Sequence, residues 1–318
     1  MISRHEADDH TLSTRGIHAY NVSRSVCGSL DPETIYRVDS SDKHLNHAVA
    51  PNLNQLVYAT SHSVVCISRN SETLWQYDLE PRSTQRHLRD CSCVFSQDGT
   101  WVWVYRPDAM ADRGPDILVV LRADTGQEVA RTILGSVGEG AQLVLHPDGR
   151  HVLLDVGEGQ DGVKMYRAAF TGESIDLHSY GWEDRVLIDV APDGQSFMTV
   201  DHGRYDVAFH AFLSGEVVMR IPIEAFGHEY FGEDEAGMDW NGGFLNPDIA
   251  VATIAGEKDD KEWHRHYSID LRTGTSCHRF EAYSRDNHDF EPLGDGTWIV
   301  SGPGGNAIRY GGSTDQDH

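Results

Sequence analysis

The sequence predicts an all-β repeat fold: a strand–turn–strand phrase recurs, its copies are evenly spaced, and helical periodicity is absent. The clearest copy is Ala141-Gln-Leu-Val-Leu-His-Pro-Asp-Gly-Arg-His-Val-Leu-Leu-Asp155. Two apolar runs flank a Pro-Asp-Gly turn, in which proline presets φ and glycine takes the left-handed position. Val186 to Gly194 followed by Ser196 to Val200 repeats the phrase, as does Cys93 to Gly99 followed by Trp101 to Tyr105. Anchored on the turn, the copies begin at Asn52, Asp98, Asp148, Asp193, Asp248 and Asp295. Six copies at this period fit a β-propeller, in which each blade is a four-stranded antiparallel sheet.

Within a copy, a second turn follows two strands later, as in Asp124-Thr-Gly126, Thr171-Gly172, Ser214-Gly215 and Thr273-Gly274; Arg69-Asn70-Ser71 takes its place in the first. Apolar strands lie on either side, such as Asp116 to Leu121 and Glu216 to Ile221, giving four strands per copy. The sixth copy is short, with at most three strands in Phe290–Leu293, Thr297–Ser301 and Ala307–Tyr310. Glu33–Val38, with Ile17–Val22, is expected to supply the missing part, because pairing the two ends removes exposed sheet edges. The expectation is therefore one propeller of six four-stranded blades over residues 16–311. An unstructured tail over 1–15 and an acidic tail over 312–318 flank it.

The Pro-Asp-Gly and Thr-Gly turns, spaced through short strands over nearly the whole chain, resemble bacterial WD40-like and YVTN-type β-propeller proteins. The resemblance implies a propeller fold and a habit of binding partners; it implies no reaction. The Gly-His and terminal Trp-Asp pairs that recur in each eukaryotic WD40 repeat are missing as a repeating feature.

Acidic residues number 50 against 26 basic ones, a formal charge of −24. Such a surface repels phosphate backbones and anionic membranes, so neither nucleic acid nor a membrane is an expected partner. Met1–His10 lacks the apolar core of a signal peptide, and no run is long enough to span a bilayer. Five scattered cysteines read as buried free thiols of a reducing compartment, with Cys91-Ser-Cys93 open to a redox or metal reading. The chain is expected to be a cytoplasmic monomer.

Short turns sort to one end of the strands and long connections to the other. The long ones run Tyr105–Pro115, Glu80–Asp90, Phe226–Trp240 and Gly256–His266. Long loops on a rigid scaffold are where recognition concentrates. Two of them are rich in aromatic and titratable groups: His228, Glu229, Tyr230 and Trp240 in one, Trp263, His264 and His266 in the other. They read either as a partner contact or as an acidic rim with Trp240 and Trp263 packed beneath. Eight residues before each turn stands a charge, Lys43, Arg89, Glu139, Asp184, Asp239 and Asp286, expected at the mouth of a central channel. His288, in Asn287-His-Asp289, joins this candidate binding set.

Catalytic signatures are absent: no Gly-x-Ser-x-Gly elbow, phosphate loop or His-Glu-x-x-His occurs. A binding scaffold for a protein or small ligand, without cofactor, is the leading reading. One segment supports an alternative. Asn241-Gly-Gly-Phe-Leu-Asn-Pro-Asp248 is similar to the Asn-Gly-x-x-x-Ser-Pro-Asp-Gly segment of lactonase-like six-bladed hydrolases. That resemblance implies a divalent cation, Ca or Mg, on Asn241, with Asp189, Asp289 or Glu291 as companions.

Overall fold

The computed structural model describes residues 2–5, 14–24, 27–39, 44–82, 91–182, 184–230, 235–274, 277–303 and 305–311. The fold is all-β, and the sheets follow one another as antiparallel meanders of propeller-blade form. Among the described residues they number seven, not the six that the turn phrase marks. The first sheet has three strands, Ile2–His5, Thr14–Tyr20 and Thr34–Asp39, and none of its connections carries a Pro-Asp-Gly turn. The next four sheets begin at His44, Ser92, Gly140 and Arg185; the sixth spans Gly237–Phe280, and the seventh begins at Glu291.

The expected pairing of chain ends occurs, through a different segment. Gly28–Ser29 forms the fourth strand of the seventh sheet, against Ala307–Gly311. The two expected segments pair with each other instead, inside the first sheet, in a register running from Thr14↔Asp39 to Ala19↔Thr34. Ile2–His5, within the expected tail, is its third strand. Residues 6–13 and 312–318 lie outside the described residues.

The chain divides into two compact units. The first holds sheets one to four; the second holds sheets five to seven with residues 26–30. Burial explains the composition of the strands. Second and third strands are buried almost throughout, as in Trp101–Arg106 and Ile117–Arg122, so they read as unbroken apolar runs. Outer strands such as Thr73–Asp78 and Val217–Pro222 are mostly exposed. The core lies in layers between successive sheets of each unit. In the first, Trp103, Tyr105 and Leu118 of the third sheet meet Val152, Leu154 and Tyr166 of the fourth. In the second, Phe209 and Val200 of the fifth meet Phe244 and Ile254 of the sixth.

The turn reading holds at Gly99, Gly149 and Gly194, with φ of 71°, 70° and 71°. Each donates its N–H to the carbonyl three residues earlier, on Ser96, His146 and Ala191. In the second sheet Leu53 takes the same place at φ 57°, and its buried side chain offsets the strain. Gly256–His266 is not a loop. The strands Ile249–Lys258 and Lys261–Asp270 stay paired to Lys258↔Lys261 around Asp259-Asp260, both left-handed as a tight primed turn requires.

Cys66, Cys91 and Cys93 are buried free thiols; Cys27 is exposed, against expectation. Burial pushes the Cys66 thiol up to about 12 and Cys93 well above its ordinary value, which leaves both inert near neutrality.

Candidate functional site

A solvent-open cleft of about 700 Å³ lies in the second unit, at the long-connection end of the sixth sheet. A bulge creates it. Met238 pairs with Ile254 and Gly242 with Ala252, so Asp239, Trp240 and Asn241 all face the single residue Thr253. Bulges of this kind re-aim side chains beside functional sites. Here Asp239 turns inward and is 6% exposed, whereas Trp240 stays 46% exposed and stacks on His202 at 5.6 Å. Arg204, from a turn of the fifth sheet, holds the base of the bulge. Its Nε donates to the Met238 carbonyl at 2.9 Å, and its Nη2 donates to the carbonyls of Gly237 and Ala255.

Two further elements complete the walls. The long hairpin presents Glu257 opposite Glu262, and Ala255 opposite His264. The segment Arg285–His288, entering the seventh sheet, faces them. Asp239 Oδ2 accepts a hydrogen bond from Asn287 Nδ2 at 2.7 Å. Asp239 Oδ1 is buried with no hydrogen-bond partner among the described residues; His288 Nδ1 lies 3.8 Å away, beyond hydrogen-bond reach. Asn241 Oδ1, two residues on, is likewise buried and unpartnered. Unsatisfied buried acceptors are costly, and natural proteins keep few without a use.

Six of the expected binding residues thus line one cleft: Asp239, Trp240, Trp263, His264, Asp286 and His288. Others sit behind it. His266 is buried, bonded to Thr253 Oγ1 at 2.9 Å and to Ser284 Oγ at 2.7 Å; His264 also reaches Ser284, at 3.1 Å. His228 is buried, bonded to the Tyr267 hydroxyl at 2.7 Å and stacked on Trp263 at 5.2 Å, so it positions that indole. Tyr230 packs on Tyr205, and Glu229 is exposed outside the cleft. Of the charged column, Asp184 is exposed at the head of the fifth sheet, Glu139 belongs to the first unit, and Lys43 and Arg89 lie outside the described residues. Reading the sequence missed Arg204, Glu235 and Arg285 as lining groups, and passed over Glu257, Glu262 and Asn287. Nothing local in the chain marks Arg204, which arrives from another sheet.

Of the acidic residues that the lactonase-like segment implies beside Asn241, two already accept backbone N–H groups. Asp189 Oδ2 accepts the Phe244 N–H at 2.8 Å, and both Asp289 oxygens accept the Ser301 N–H. Asp189, Asp289 and Glu291 do not bring three ligand atoms within 4.8 Å of one another. Among the described residues that distance is met only by His146, Asp148 and His151 at a turn of the fourth sheet. There Asp148 already bonds His151 Nδ1 at 2.6 Å and accepts the N–H groups of Arg150 and His151.

Two histidines give the protein a pH signature. Burial lowers His210 and His266 to about 4. An unfolded histidine takes its proton near 6.5, so the stability their neutral forms allow is present above that value and is lost as pH falls toward 4. Each should contribute a loss of about 2 kcal/mol between pH 7 and 5. Asp189, raised to about 6 by burial, acts oppositely: protonating its folded form on acidification returns about 1 kcal/mol. Urea unfolding at the two pH values should show a net loss of about 2 kcal/mol, because Asp108 and Asp201, also raised by burial, add to what Asp189 returns; equal stabilities would refute it.

No family model and no curated protein matches this chain. Solved structures do. The chain is similar to hydrazine synthase of Kuenenia stuttgartiensis at 14% identity and a TM-score of 0.54, over 81% of this chain and 73% of that one. It is also similar to TolB of Acinetobacter baumannii, at 14% identity and a TM-score of 0.46, over 86% of this chain and 62% of that one. BamB of Moraxella catarrhalis gives 10% and 0.48, over 96% and 95%. At such identities the likeness concerns the fold alone. Among the described residues no helix is long and apolar enough to cross a membrane.

Proposed function

We propose that this chain is a non-enzymatic recognition module of the propeller type, which binds its partner through the cleft of the second unit. One observation carries the reading: Asp239, 6% exposed, holds an unpartnered oxygen in the wall of an open cleft flanked by Trp240 and Trp263. Clefts with aromatic walls and a few convergent polar groups are the usual form of a ligand site. A propeller sheet supplies the rigidity; the bulge and the long hairpin supply the shape.

Capture from a native cell extract tests the proposal. The intact chain should retain a partner that Trp240→Ala, exposed and outside the core, fails to retain at unchanged thermal midpoint. Truncating an aromatic anchor at such a site costs about 2 kcal/mol or more of binding. Equal capture by the variant would place recognition elsewhere.

A further inference from the structure

We infer that the cleft takes a cationic nitrogen group, an alkylammonium or guanidinium of the kind a lysine or arginine side chain carries. This rests on the cleft being the recognition site. Five carboxyl groups border it, against two guanidinium groups. Arg204 directs its Nε and Nη2 at backbone carbonyls, which leaves Arg285 exposed at the rim as the other cation.

Three features point to an incoming cation. Asp239 lines the cleft, and its buried Oδ1 is an acceptor without a donor, so a group bearing several N–H bonds completes it. Glu257 and Glu262 stand directly opposite across the hairpin, a like-charge pairing that costs stability until a positive charge sits between them. The exposed Trp240 indole gives such a cation an aromatic wall. Lys258 and Lys261, the next pair along, fall on the opposite face of the hairpin by strand alternation, so charge is sorted by face. An anionic ligand would meet the carboxyl groups and gain no donor at Asp239.

Isothermal titration of the full chain at about 150 mM salt, where long-range attraction to an acidic protein is screened, tests this. The probes are a lysine pentapeptide, the same peptide acetylated on every ε-amine, 1,5-diaminopentane, and CaCl2 or MgCl2. The free pentapeptide should bind and the acetylated form should not. Binding of the diamine as well identifies a free amine as sufficient; binding of the peptide alone identifies a side chain on a protein partner. Asp239→Asn should weaken binding at least about tenfold, the scale of one lost charge-assisted bond. Glu262→Gln, exposed and harmless to folding, should weaken it several-fold, and Glu173→Gln in the first unit should leave it unchanged. Equal binding of the acetylated peptide, indifference to both cleft variants, or an Asp239-dependent response to the metal salts alone overturns the inference. If the extract partner still needs Trp240 while no amine binds, the recognition reading stands and the cationic ligand falls.

Discussion

Replacing Asp116 by alanine should cost about 4 kcal/mol of stability, more than most single substitutions. The side chain is fully buried in the first unit and anchors two connections at once. Its Oδ1 accepts the Ala109 N–H at 3.0 Å, which ties down the long connection after Arg106. Its Oδ2 accepts the Gly138 N–H at 2.7 Å, the Ser136 hydroxyl at 2.9 Å and the Tyr105 hydroxyl at 3.2 Å. Burial, with Asp116 nearby, pushes Tyr105 far above its ordinary value, so it remains a donor. Alanine leaves four donors without an acceptor, three of them buried, and each buried loss is worth about 1 kcal/mol or more. Urea unfolding measures the effect directly. A loss under about 1 kcal/mol would show that water or a rearranged loop replaces the carboxyl group.

Gly126→Val should cost about 3 kcal/mol, from turn strain and overpacking together. Gly126 sits at φ 69° in the Asp124-Thr-Gly turn of the third sheet, and its N–H donates to the Arg122 carbonyl at 2.8 Å. A Cβ there would come within 2.5 Å of the Trp75 ring, which the second sheet lays over the turn. That ring cannot retreat freely, because its indole N–H donates to the Ala123 carbonyl at 2.8 Å. In a Trp75→Leu background the clash disappears while the backbone strain remains. The Val substitution should then cost only about 1–2 kcal/mol. Equal costs in the two backgrounds would rule out the steric part of the explanation.

Repetition in the sequence reaches as far as the turn chemistry does. Where Pro-Asp-Gly or its relatives mark a turn, the strands on either side follow, and sheets two to seven were legible for that reason. The first sheet has no such mark, so its strands read as spare parts of the last one. Gly28–Ser29 carries no pattern at all, since a two-residue strand has too few positions to alternate. In the Gly256–His266 segment, dense charge suggests a loop, yet the alternation of its side chains continues to a primed turn at Asp259-Asp260. At the site, aromatic and acidic composition picked out Asp239, Trp240, Trp263 and Asp286. Whether a given charge is solvated or held inward was not legible. Asp239 and Asp184 occupy the same column, yet the bulge at Asp239-Trp240-Asn241 buries one while the other stays exposed. A two-residue excess in register is a property of the pairing, and it leaves no trace in either strand alone.

The Gly28–Ser29 strand also sets an order of assembly. Asn306 Nδ2 donates to Ser29 Oγ at 2.7 Å across 277 positions of chain, and the Leu30 N–H donates to the Ala307 carbonyl. Closing a span of that length as free coil costs about 5 kcal/mol, and each hydrogen bond of a two-residue ladder returns about 1 kcal/mol. The contact therefore cannot nucleate anything. It forms after the intervening sheets have already consumed the slack. During vectorial synthesis the ribosome releases residues 28–29 long before their partner strand Ala307–Gly311 exists. The Gly28–Ser29 segment waits unpaired while the sheets between it and Ala307–Gly311 are made, and the seventh sheet is completed after them.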